Sequence, residues 1–161
     1  MSGQGVVACV EGLLVVAVAL VGAAGFGLWR RRVDGRLRPV AGERAQGIVP
    51  SHEAPDPRHV LTAAELGQAL GRTATFVSFS TAFCQPCRAN RQVLGHLAAA
   101  TDAVAHVEID AESRLDLVRR LGVSRTPTTL VLDGSGTIRH RATGVLHLAD
   151  ARAAVGELAN G

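Results

Sequence analysis

The stretch Thr73-Ala74-Thr75-Phe76-Val77-Ser78-Phe79-Ser80-Thr81-Ala82-Phe83-Cys84-Gln85-Pro86-Cys87-Arg88 decides how the chain is read. Its first half, Thr73 to Phe79, is β-branched and apolar enough for a buried strand. Its second half sets two cysteines three positions apart where a helix begins. Pro86 suits the first turn, where a missing N–H does no harm, and Pro86 to Ala100 places Val93, Leu94 and Leu97 at helical spacing. A helix start presents unpaired N–H groups and the positive end of the dipole, both of which favour a thiolate. Sulfurs three residues apart at such a start can approach to disulfide distance. Cys84 is therefore expected to be the exposed attacking thiolate. Cys87, one turn in, is expected to resolve a mixed disulfide from the shielded side.

A Cys-x-x-Cys pair has two other readings, a metal site and an inert structural pair. A tetrahedral zinc site needs about four ligands. The distal part of the chain has no further cysteine, so His96 and His106 would have to converge from different elements. The strand–turn–helix setting favours the redox pair, and no metal is expected. Arg88 and Arg91 stand near enough on the same helix to add positive potential, or simply to be solvated.

Outward from this stretch, helices and strands alternate. Thr62-Ala63-Ala64-Glu65 is a capping-box pattern that starts a short helix, with Leu66 and Leu70 on one face and Gly71 as its stop. Ala103 to Ile109 reads as a second strand and Glu112 to Leu121 as an amphipathic helix closed by Gly122. Thr128 to Leu132 is a third strand, and Asp133-Gly134-Ser135-Gly136 turns the chain into a fourth over 137–143. His147 to Ala159 forms the last helix. The order α-β-α-β-α-β-β-α predicts an α/β domain, a central sheet covered on both faces with antiparallel strands from the final hairpin.

The first forty residues are of another kind. Val6 to Leu28 is apolar except for Glu11, and as a helix it would reach roughly 34 Å, enough for a hydrocarbon core of about 30 Å. A cleaved signal peptide wants positive charge before the apolar run. Here Arg30-Arg31-Arg32 follow the run instead, so one uncleaved transmembrane helix over 6–29 is expected, after a short tail over 1–5. Residues 30–58, with five arginines between Arg30 and Arg38 and four of the six prolines from Pro39 onward, read as a basic collar and semi-extended linker. Basic flanks stay cytoplasmic, which places the domain over 59–161 in the cytoplasm, at the cell membrane. From His59 onward ten arginines face nine carboxylates. That near-neutral balance leaves no basic stripe for nucleic acid. The chain contains no lysine, which excludes Schiff-base chemistry.

Phe83-Cys84-Gln85-Pro86-Cys87-Arg88 together with Thr126-Pro127-Thr128 resembles the thioredoxin family over about Val60 to Ala159. The resemblance implies a thioredoxin-like central mixed sheet flanked by helices. It implies that Cys84 and Cys87 are the redox pair, with Gln85 and Pro86 as the active-site loop. It further implies that Pro127 is a cis-proline beside the disulfide, that the backbone of Thr126 pairs with substrate, and that Phe83 contacts substrate. Gly144 falls where the family has a glycine before the last helix. The expected activity is reduction of protein disulfides without a cofactor, re-reduced by a thioredoxin reductase or a membrane electron donor. Gln-Pro between the cysteines is more like the Gly-Pro of reducing members than the Pro-His of strong oxidants. Two alternatives stand beside this: an extracytoplasmic member in cytochrome maturation or disulfide formation, and a non-catalytic binding module of the same fold.

Three departures bear on mechanism. The family's buried Asp, six residues before the first Cys, is Ser78 here. Phe83 and Ser80 stand where tryptophans are usual. The lysine partner of that Asp falls at His106, with Glu108 two residues on. The proton acceptor for Cys87 is thus missing or replaced, and Cys87 is expected to stay protonated to higher pH, slowing substrate release.

Overall fold

In the computed structural model, the described residues are 14, 16–29, 36–39 and 59–160. The chain divides into two compact units, Met1–Asp34 and Gly35–Gly161. In the first, residue 14 and residues 16–29 are helical (α1), and each of these side chains is exposed. The stretch 16–29 corresponds to about 21 Å. Among the described residues no helix is long and apolar enough to cross a membrane. The span expected over 6–29 falls partly outside the described residues, as do Cys9, the tail over 1–5, and residues 30–35 and 40–58.

The second unit is an α/β sandwich built on a mixed five-stranded sheet in the order β1-β5-β4-β2-β3. Its elements are β1 (Arg38–Pro39), α2 (Ala63–Leu66), β2 (Ala74–Ser80), α3 (Gln85–Ala99), β3 (Val104–Asp110), α4 (Leu115–Arg120), β4 (Thr128–Asp133), β5 (Ile138–Thr143) and α5 (Leu148–Asn160). β2 pairs in parallel with β3, so α3 serves as the crossover between them, while β4 and β5 run antiparallel. β2 is buried along its whole length, as expected for a strand covered on both faces. Val77 and Phe79 point to one core with Val107, Ile109, Leu117 and Leu130. Phe76 points to the other, against Leu94 and Leu97 of α3 and Ala151 and Ala154 of α5.

Two local features differ from the sequence expectation. The first helix of this unit ends at Leu66, not before Gly71. Gly67 takes the left-handed conformation (φ 67°) that closes a helix, and its N–H donates to the Ala63 carbonyl. Gly71 serves a close approach instead. A Cβ there would stand 2.7 Å from the Ala105 nitrogen and 2.8 Å from the Ala103 oxygen, and nearer still to the Ala74 oxygen. Arg38 and Pro39, read as linker, add a short edge strand antiparallel to β5. Proline is at home on an edge, where the ladder does not need its missing N–H. The hairpin turn is as its residues predict: Asp133 Oδ1 accepts from the Ser135 and Thr137 N–H groups at 2.9 and 3.1 Å, and Gly136 takes φ 87°.

Candidate functional site

Cys84 caps α3. Its Sγ accepts from the Cys87 N–H at 3.2 Å, and Pro86 sits in the first turn. The two cysteines are joined in a disulfide, with Cα atoms 5.2 Å apart. Cys84 is half-buried, whereas Cys87 is only 3% exposed. Outer and inner sulfurs are thus distinguished by burial, as the helix start requires. Phe83, immediately before the pair, is fully exposed (101%). It is a large aromatic left in water beside the disulfide.

The Thr126–Pro127 peptide bond is cis. Three contacts hold its loop. Thr128 Oγ1 donates to the Arg125 carbonyl at 2.7 Å, the Gly144 N–H donates to the Pro127 carbonyl at 2.8 Å, and the hydroxyls of Thr81 and Thr126 lie 3.5 Å apart. Gly144 has φ 90°, a value that L side chains rarely adopt. The last contact ties the segment leading into Cys84 to the residue before the cis-proline.

Beneath α3 the sheet is polar where strands of this kind are usually apolar. Ser78 is 3% exposed, and its Oγ lies 2.9 Å from His106 Nε2. Glu108, beside it on β3, is gripped by Arg91 of α3 through both carboxylate oxygens, one of these contacts being 2.7 Å. Burial raises the Glu108 carboxyl, but its bonds to Arg91 and to the Ser80 hydroxyl, with the nearby charges of Arg91 and His106, outweigh this and leave it below the usual carboxylate range. Burial lowers the His106 imidazole and Arg91 adds to this, and the attraction of Glu108 offsets them only in part. His106 is accordingly a neutral base near pH 7. Asn90, one turn beyond Cys87, bridges the sheet and the last loop. Its Nδ2 donates to Thr129 Oγ1 at 3.0 Å and its Oδ1 accepts from the Leu146 N–H at 2.9 Å.

Of the residues singled out by sequence, Cys84, Gln85, Pro86 and Cys87 form one turn, and Thr126 is tied to it through Thr81. Arg91 is committed to Glu108 and Arg88 is exposed. His96 and His106 do not meet the cysteines as a ligand set. Among the described residues no group of three or more His, Cys, Asp or Glu side chains converges as a metal site. Sequence reasoning missed Asn90 and Thr129. The available signal was a polar residue in an otherwise apolar stripe, Cys87, Asn90, Leu94 and Leu97 being the buried face of α3.

The thioredoxin family model matches residues 58–155. Among solved structures, a chloroplastic thioredoxin z is 27% identical with a TM-score of 0.51, covering 56% of this chain and 81% of that one. Thioredoxin NaTrxh from Nicotiana alata is 24% identical (TM-score 0.48, covering 53% and 73%), and a thioredoxin from Trypanosoma brucei brucei is 18% identical (0.49, covering 56% and 78%). No curated protein matches the chain.

Proposed function

The chain belongs to the thioredoxin family, and we propose that it is a membrane-tethered thiol–disulfide oxidoreductase that reduces protein disulfides through Cys84 and Cys87. The observation that carries this reading is the Cys84–Cys87 disulfide at the first turn of α3, with one sulfur partly open to solvent and the other enclosed. In the reduced state the Cys84 thiolate is stabilised by the Cys87 N–H and the helix dipole. It attacks a substrate disulfide, and one substrate sulfur leaves as thiolate. Cys87 then attacks the Cys84 sulfur of the mixed disulfide, the internal bridge closes, and the second substrate sulfur is freed. Phe83 offers the incoming chain an apolar contact, and the Thr126 backbone beside Pro127 offers it hydrogen bonds. A thioredoxin reductase or a membrane electron donor restores the dithiol.

The tether rests on α1. Its described side chains are apolar around the whole circumference, with Val16, Val18, Leu20, Val21, Phe26 and Trp29 each more than half exposed. A helix of that composition is stable in protein or in lipid but not in water. The run Arg30–Arg32 in the sequence supports a cytoplasmic placement of the thioredoxin-like domain, since basic flanks of a span stay cytoplasmic. Reduction of insulin by the full chain, lost in Cys84→Ser, tests the chemistry. Labelling of Cys84 in intact cells by a membrane-impermeant thiol reagent tests the side: protection supports the cytoplasmic placement, and labelling supports the extracytoplasmic alternative.

A further inference from the structure

The geometry points to His106, acting through the Ser78 hydroxyl, as the acceptor of the Cys87 proton when the mixed disulfide is resolved. This deepens the proposed function and rests on Cys84 and Cys87 being an exchange pair.

The placement comes from the sheet register and the buried face of α3. Asn90 is bonded to Thr129, and Thr129 is the cross-strand neighbour of Ser78. Cys87 lies one turn nearer the start of α3 on the same buried stripe. Its turn of helix therefore lies over the end of β2 that carries Ser78 and Ser80. Both serines are buried, so solvent does not reach this position freely. Ser78 is bonded in turn to His106 Nε2 at 2.9 Å. The hydroxyl is both donor and acceptor, which lets it take one proton as it gives another.

The charged groups around this path fit the role. From β3, Glu108 is paired with Arg91 of α3 and is thereby removed as a base. β2 contributes only the hydroxyls of Ser78 and Ser80 on this side. Of the titratable groups named here on β2, β3 and α3, His106 is left as the base, bonded to Ser78 and kept neutral chiefly by burial. Once protonated, the imidazolium faces the Glu108 carboxylate, which offsets part of its cost.

The step balances. The Cys87 sulfur forms a bond to the Cys84 sulfur, and the bond from Cys84 to the substrate sulfur breaks. The electron pair leaves on the substrate thiolate. The Cys87 proton passes to Ser78 Oγ while the Ser78 proton passes to His106. The imidazolium then returns its proton to the departing thiolate or to water. Two protein thiols are oxidised and one substrate disulfide is reduced. Cys87 remains a thiol at rest and loses its proton only during attack.

The test is stopped-flow oxidation of the reduced full chain, in a Cys9→Ser background, by 5,5′-dithiobis(2-nitrobenzoate). The first phase reports attack by Cys84 and the second reports resolution by Cys87. In the unsubstituted site the second phase should hold its rate from alkaline pH down to the imidazole's ionisation, below about 6.5, and then fall. In His106→Gln the first phase should be unchanged. The second should slow at least about tenfold at pH 7 and climb toward the thiol's own range near 8.5. Ser78→Ala should do the same. An unchanged second-phase profile in His106→Gln, or uniform slowing of both phases, overturns the relay while leaving the exchange pair standing. Absence of the first phase in the unsubstituted site overturns both. Should His106→Gln not fold, the unsubstituted site still decides: the second-phase midpoint must match the ring-proton titration of His106, and a midpoint near 8.5 contradicts the relay.

Discussion

Ser78 and His106, 28 residues apart, share a 2.9 Å hydrogen bond although neither is the other's register partner: Ser78 faces Glu108 across the β2–β3 ladder and Phe76 faces His106. Diagonal neighbours on one face of a sheet are within reach of a long side chain. This diagonal occupies the place beneath α3 where the family resemblance implies an acid–lysine pair. A hydroxyl–imidazole pair carries no net charge at rest, so its burial is easier than that of a lone carboxylate.

The same pair predicts a pH dependence of stability. His106 has a folded pKa below its unfolded value near 6.5, lowered first by burial, with Arg91 lowering and Glu108 raising it. The unfolded state therefore binds more protons below pH 6.5. Stability should be full above that pH and decline as pH falls through the folded value. Urea unfolding of the full chain at pH 5.0 and 7.5 should show this decline, and His106→Gln should reduce it.

The capping box of α2 gives a second window. Glu65 is held below the usual carboxylate range chiefly by the Thr62 N–H, with Arg120 and the Thr62 hydroxyl also lowering it and burial opposing. Its Oε2 accepts from Thr62 N at 2.9 Å, and Thr62 Oγ1 accepts from Glu65 N at 3.3 Å. Stability from this carboxylate is present above about pH 4.5 and lost as pH falls through the lowered folded value. Thr62→Ala should cost about 1 kcal/mol at pH 7 by chemical denaturation.

Asn90 is 1% exposed and bonded at both ends of its amide. Asn90→Ala would leave Thr129 Oγ1 and the Leu146 N–H buried without those partners, with a cavity besides. A loss of about 3 kcal/mol is expected. The same variant should also loosen the loop after β5, read as faster hydrogen exchange at the Leu146 amide.

Gly71 is closely walled by backbone from Ala74, Ala103 and Ala105. Gly71→Ala cannot be absorbed by rotating a side chain, since every neighbour is main chain. It should destabilise by about 3 kcal/mol, the upper end of overpacking effects. By contrast, Gly95→Ala meets nothing within 4 Å and removes a helix-interior glycine. It should stabilise by about 0.5–1 kcal/mol. Melting of the two variants against the unsubstituted chain checks the pair.

The sequence made most of this domain legible because its signals are local. The apolar run at Thr73 to Phe79, the Asp133–Gly136 turn and the Pro86 helix start each depend on neighbours within a few residues, and the elements fall within a residue or so of where those signals put them, except α2, which ends at Leu66 rather than at Gly71, and α4, which begins three residues later. What stayed hidden depends on partners far along the chain. Gly71 looks like a helix stop until β3 closes over it. Arg38 and Pro39 carry no strand period and become one only because β5 offers an edge. Asn90 needs Thr129, 39 residues on, to show why a helix buries an amide. The site divides the same way. The cysteine pair is visible in four consecutive residues, whereas the bond between Ser78 and His106 follows from strand register, which no local pattern specifies.

The most direct measurement is trapping. The reduced full chain carrying Cys87→Ser, mixed with insulin, should accumulate a covalent disulfide between Cys84 and an insulin chain, released by excess dithiol. Cys84→Ser should trap nothing, because Cys87 is enclosed. A trapped complex in Cys84→Ser but not in Cys87→Ser, or no complex in either, would contradict the account.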